Sequence, residues 1–143
     1  MRAPNLGRVQ VLIDADNLST PRIEAFLRVL PEHEATVVVA GSPRALSALS
    51  WPPRARIVAV EGWQSADMVL VDAYLPGAEP LVLVSGDGDF AGLVRGHRGD
   101  VLIVSDRPAA SLRGRGAVLD PVLDGVEALR RWFDAVTDRP LAT

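Results

Sequence analysis

The chain has 143 residues, a formal net charge of −3 and 48% hydrophobic residues. That is the size of one domain with one real core, and too apolar for a disordered chain. Cysteine is absent, there are two histidines, and every one of the 15 Lys-plus-Arg positions is Arg. Disulfides, a thiolate zinc site, a cysteine nucleophile, a Walker lysine and a Schiff-base lysine are therefore excluded. No apolar run approaches the roughly 20 residues of a membrane span. The first eight residues lack an apolar signal core, so a cytoplasmic protein without membrane contact is expected.

In chain order, residues 8–14 form a β-rich run that ends in acid. A helix follows over 21–30, with Ser19 or Thr20 as cap and Pro21 at its first position. Residues 35–40 read as a second strand. A short helix runs from the Gly41-Ser42-Pro43 break to Leu49, and 56–60 is a third strand. Ser65 caps a mostly apolar helix over 66–75. Leu81–Val84 is the fourth and most continuous apolar strand. A helix over 90–97, a fifth strand at Val101–Val104, an Arg/Gly/Pro loop over 107–116 and a short sixth strand at 118–119 come next. The spacing of Val122, Val126, Leu129 and Phe133 predicts an amphipathic helix over 122–136.

Strands rich in Val and Ile, without period-2 alternation and separated by helices, point to a parallel sheet covered on both faces. The expected architecture is α/β: a three-layer Rossmann-like fold around a mostly parallel sheet of five or six strands. One domain spans 1–143, with its core over about 8–136 and a frayed tail at 138–143.

The acids follow this pattern. Asp14 ends the first strand, with Asp16 and Asn17 in the turn. Asp87 and Asp89 follow the fourth, in Ser85-Gly86-Asp87-Gly88-Asp89-Phe90. Asp67 opens a helix. In open parallel sheets ligands bind at the carboxyl ends of the strands. Adjacent first and fourth strands would bring these acids together, where their repulsion is relieved by a divalent cation. An all-oxygen donor set suits Mg2+ or Mn2+, and such a site can activate water for phosphodiester cleavage. Taken singly, each acid is equally an ordinary turn or cap residue. The coincidence of three at one end of three elements favours the site.

At these residues the chain resembles the NYN domain family, a PIN-like group of metal-dependent ribonucleases. Val11-Leu12-Ile13-Asp14-Ala15-Asp16-Asn17 is similar to the first family motif, with its Asp and the Asn three residues on. Ser65-Ala66-Asp67-Met68-Val69-Leu70 resembles the second, and residues 83–90, with Ser-Gly-Asp-x-Asp-Phe, the third. The run 101–104 resembles the strand that follows. The resemblance covers roughly residues 9–104. It implies a PIN-like fold, an acidic pocket holding Mg2+ or Mn2+, and hydrolysis of RNA. Carried over by motif, Asp14, Asp67, Asp87 and Asp89 are the metal and catalytic set, with Asn17 assisting by orienting Asp14 or touching substrate. Asp14 and Asp87 are the expected direct ligands. Many members carry Lys just before the second-motif Asp, whereas this chain has Gln64 and Ser65. Asp72 lies about 140° round the helix from Asp67 and reads as a supporting or plain helix charge.

RNA also needs positive charge. Arg95, Arg98, Arg113 and Arg115 are candidate substrate contacts, together with Ser85. His97 and Arg107 lie in the same segments, and solvated loop charge is the competing reading. Arg44, Arg54 and Arg56 are expected at the opposite end of the sheet. Trp63 is a packing residue or a base-stacking one; Trp51 and Trp132 are packing residues, and His33 is exposed. A haloacid-dehalogenase-like phosphatase shares Asp14-Ala15-Asp16 and Ser85, but it and the receiver domains use a Lys that this chain lacks. An RNA-binding or dimerising domain with a weakened site is the remaining alternative. A homodimer is compatible with so short an α/β chain.

Overall fold

Six short runs of Val, Ile, Leu and Ala form one all-parallel sheet in the order β3-β2-β1-β4-β5-β6. The strands are β1 (Val9–Asp14), β2 (Ala35–Gly41), β3 (Arg56–Ala59), β4 (Leu81–Val84), β5 (Val101–Val104) and β6 (Ala117–Leu119). The computed structural model describes residues 8–61 and 65–137. The three-layer α/β, Rossmann-like architecture follows from burial of both sheet faces. β1, β4 and β5 are buried along their whole length, so neither face can be left to water.

One face is covered by α1 (Thr20–Val29), α2 (Pro43–Ser47) and α5 (Val126–Thr137). There Ile23, Phe26, Leu129 and Phe133 pack on Val11, Ile13, Val82 and Val84. The other is covered by α3 (Ala66–Ala73) and α4 (Ala91–Gly96), whose Leu70 and Val94 pack with Phe90 and Leu112 on Leu12, Leu83 and Ile103. This strand order is the doubly wound one, and it changes direction between β1 and β4. At that switch Ile13 and Val84 are the last pair between the two strands, and β1 runs one residue further, with Asp14 beside Ala40 of β2.

The expected elements are all present, with shifted ends. The largest shift is in α5, which begins at Val126 rather than 122. Asp120 accepts the backbone N–H groups of Val122 and Leu123, which makes a turn there. Gly125 then takes a φ of 86° before the helix starts, a conformation suited to glycine. Val122, counted on the apolar stripe, is exposed instead. α4 is preceded by a 3-10 turn at Gly88–Phe90, and the expected loop over 107–116 contains another at Ala110–Leu112. That turn buries Leu112 completely. Trp51 donates its indole N–H to the Leu46 carbonyl at 2.9 Å and packs on the core, as Trp132 does. Trp63 and the tail at 138–143 lie outside the described residues. Among the described residues no helix is long and apolar enough to cross a membrane.

Candidate metal centre

All strands run the same way, so every strand leaves the sheet along one edge. Asp14 is the last residue of β1, and Asp87 and Asp89 lie in the turn after β4. Asp67 sits in the first turn of α3, which packs over β1 and β2. These elements bring one carboxylate oxygen each from Asp67, Asp87 and Asp89 within 4.8 Å of one another. Two oxygens on opposite sides of an octahedral Mg2+ stand about 4.2 Å apart, so small side-chain rotations would let the three share an ion. Asp14 stands beside this group rather than within it. It lines an open cleft of about 670 Å³ together with Asp67, Asp16, Glu61, Ser42 and Ser65.

The electrostatics are those of crowded acids. Burial, reinforced by the charges of Asp16, Asp87 and Asp67, pushes the Asp14 carboxyl up to about 6, against the Asp16 N–H that favours its charged form. Asp89 is raised by the Asp67 carboxylate, with which it shares a hydrogen bond, and then by the charge of Asp87. The Ser65 hydroxyl holds Asp67 below the usual carboxylate range. Of the two, Asp89 is thus the more readily protonated, and a divalent cation would compete with that proton.

The turns are fixed by backbone donors. The Asp87 Oδ1 accepts the Asp89 N–H at 2.9 Å, and the Ser85 Oγ accepts the Asp87 N–H at 3.1 Å. Asp16 takes the N–H of Ser42 at 2.7 Å and its hydroxyl at 2.8 Å, which ties the first turn to the start of α2. Asn17 reaches across to β4, where its Oδ1 accepts the Gly86 N–H at 2.8 Å. Its contact is therefore with the β4 turn, not with the Asp14 side chain.

The expected cationic rim is rearranged. Ser85 is 0% exposed, so it braces the turn and has no surface to offer a substrate. Arg115 precedes β6, and its Nη2 donates to the carbonyls of His97 and Gly99, the latter at 2.9 Å. Those residues precede β5, so Arg115 lies at the opposite edge from the acids. Arg95 and Arg98 lie there too, because α4 runs back across the sheet to the start of β5. His97 is buried, with its Nε2 2.7 Å from the Glu79 carbonyl and its Nδ1 2.7 Å from the Tyr74 hydroxyl. A carbonyl only accepts, so Nε2 carries the proton and the Tyr74 hydroxyl donates to Nδ1. Arg113 is exposed on the path between the two edges.

The arginines at the acid edge are others. Arg107 follows β5 beside Gly86, and Arg44 sits in the first turn of α2 next to the cleft residues Ser42 and Pro43. Arg44 was expected at the far end; it follows β2, and so belongs to the leaving edge. Arg54 and Arg56 do enter β3 at the far edge. Asp120, unremarked in the sequence, joins Arg22 at 3.0 Å across the start of α1 and the end of β6. Its signal was an acid directly after the sixth strand. No family model matches the chain, and a search of curated proteins finds no relative of it.

Proposed function

We propose that the protein is a metal-dependent ribonuclease of the NYN type, hydrolysing RNA phosphodiester bonds at the β1–β4 switch with Mg2+ or Mn2+. The observation that carries this reading is the meeting of Asp67, Asp87 and Asp89 within 4.8 Å, with Asp14 alongside in the cleft. Chance turn acids would scatter over the surface. These come from β1, α3 and the turn after β4, and they sit where doubly wound folds bind ligands. The donor set is all oxygen, as a hard cation requires.

Asp67, Asp87 and Asp89 would hold the ion. When bound, it supplies a water of lowered pKa and offsets phosphate charge. Asp14 has its Oδ1 on the Asp16 N–H, which leaves Oδ2 as a ligand or as acceptor of the proton from the attacking water. Its raised pKa suits the second role near neutral pH. Arg44 and Arg107, at the same edge, would meet the flanking phosphates. No lysine exists for the phosphatase chemistry that shares the Asp14 motif.

Cleavage of labelled single-stranded RNA in Mn2+ tests the reading. Asp14→Asn and Asp87→Asn are each expected to lower kcat by about 100-fold or more, the loss typical of an essential acid–base or ligand group. Undiminished cleavage in both variants refutes the assignment. One observation favours the second reading, an RNA-binding domain of weak activity: among the described residues few cations border the cleft, and Ser65 and Gln64 stand where a lysine is common in the family. Mn2+ binding by a chain that binds RNA without cleaving it would establish that reading instead.

A further inference from the structure

β1 and β4 part just past Ile13 and Val84, the last residues paired between them. The two acid-bearing turns lie beyond that ladder, and Asn17 bridges them. Its Oδ1 accepts the Gly86 N–H at 2.8 Å across 69 positions of sequence. The peptide on the other side of Gly86 is also held, because its carbonyl accepts the Ala109 N–H at 2.9 Å. No side chain fits at this point: a Cβ on Gly86 would lie 2.5 Å from the Ser105 Oγ and 2.7 Å from the Arg107 carbonyl oxygen. Asp87 follows directly, and its Oδ1 in turn holds the Asp89 N–H. Two of the three clustered carboxylates therefore take their position from Gly86. A neutral acceptor suits residue 17. An aspartate would accept the same N–H but add a further negative charge to the cleft.

We propose that Asn17 is a positioning residue, which pins the Gly86–Asp87 turn to β1 and thereby sets the affinity of the carboxylate cluster for its cation. This rests on the nuclease reading, and it assigns Asn17 a backbone partner rather than the substrate. Groups that orient metal ligands in this way are typically worth about 10–100-fold in metal affinity.

The test is direct binding of Mn2+ alone to the full chain, followed by electron paramagnetic resonance, with hydrogen exchange of the Gly86 amide as a second readout. Asn17→Gln keeps the amide but displaces its oxygen by one methylene. It is expected to raise the Mn2+ Kd by about 10-fold or more and to speed exchange at Gly86. The KM for RNA at saturating Mn2+ should not change. Asn17→Asp keeps an acceptor oxygen in place and should restore Gly86 protection, with Mn2+ affinity at or above that of wild type because the added charge also attracts the cation. Wild-type Mn2+ affinity in a folded Asn17→Gln protein overturns the proposal, and so does a rise in KM with Mn2+ affinity intact. If that variant does not fold, Asn17→Ala carries the same comparison. A wild-type chain that binds no Mn2+ overturns the nuclease reading itself, a result separate from failure of the clamp.

Discussion

Asp14 closes a strand whose other residues are buried, so its carboxyl is desolvated and faces three more acids. A folded-state pKa of about 6, against 3.8 ordinarily, has a definite sign. Below pH 3.8 Asp14 is neutral in both states and its burial is tolerated. As pH rises through about 6 it must ionise in the fold, and the stability is lost. Asp14→Asn, melted in EDTA, should therefore be more stable than wild type at pH 8 by roughly 1–2 kcal/mol, a figure reduced for partial solvent contact. The gain should vanish near pH 4; a constant offset across that range would refute it. Residues such as Asp14 and Asp87 are legible in the sequence, because an acid directly after an apolar run marks a strand end. The partner of Asn17 is not, since nothing local to residue 17 points to a peptide 69 positions away. Ser85 misleads for a related reason: a serine in a Gly-Asp turn reads the same whether its hydroxyl faces a ligand or the backbone of Asp87.

Among the elements, the strands are the most legible part. A run such as Leu81–Val84 is short, apolar and bounded by turn residues, and its ends match the structure. α5 shows where pattern reading stops. Val122 continues the apolar spacing, but the 121–125 segment has stronger local instructions. Asp120 is buried and is satisfied by Arg22 and by the N–H groups of Val122 and Leu123, while the Asp124 Oδ2 takes the Asp120 N–H. Burial alone would raise the Asp120 pKa, but the guanidinium and the two backbone donors outweigh it and lower it. Asp120→Ala removes this cap and strands Arg22 at the start of α1. It should cost about 2 kcal/mol and lower Tm by about 5–10 °C. Thermal melts at pH 7 check it, and an unchanged Tm would show that the turn holds without the ion pair.

For the whole molecule, the three-layer architecture was legible from alternating helices and buried strands, but the sorting of charge between the two edges was not. Arg8, Arg56, Arg98 and Arg115 stand at or just before the starts of β1, β3, β5 and β6, mixed with Glu34, Glu79 and Asp100 before β2, β4 and β5. Asp14, Glu61, Asp87, Asp106 and Asp120 stand at or just after the ends of β1, β3, β4, β5 and β6. Sequence proximity placed Arg98 near the third motif, yet the intervening helix carries it the full depth of the sheet. Arg44 and Arg107, adjacent to strand ends, make the opposite journey unnecessary. Reversing either of these two, as Arg44→Glu or Arg107→Glu, should weaken RNA binding several-fold and reduce the salt slope by about 1. Arg98→Glu should leave both nearly unchanged. Filter binding over a salt series decides, and a large effect from Arg98 alone would place the RNA on the other edge.

The leaving edge gathers Asp14, Glu61, Asp87, Asp106 and Asp120 against Arg44 and Arg107, and that surplus of negative charge bears on how a polyanion would arrive. Added electrolyte would screen that surplus and ease the approach of a polyanion to the cleft. On the nuclease reading, the step most sensitive to background electrolyte is then the encounter itself, ahead of any bond cleavage.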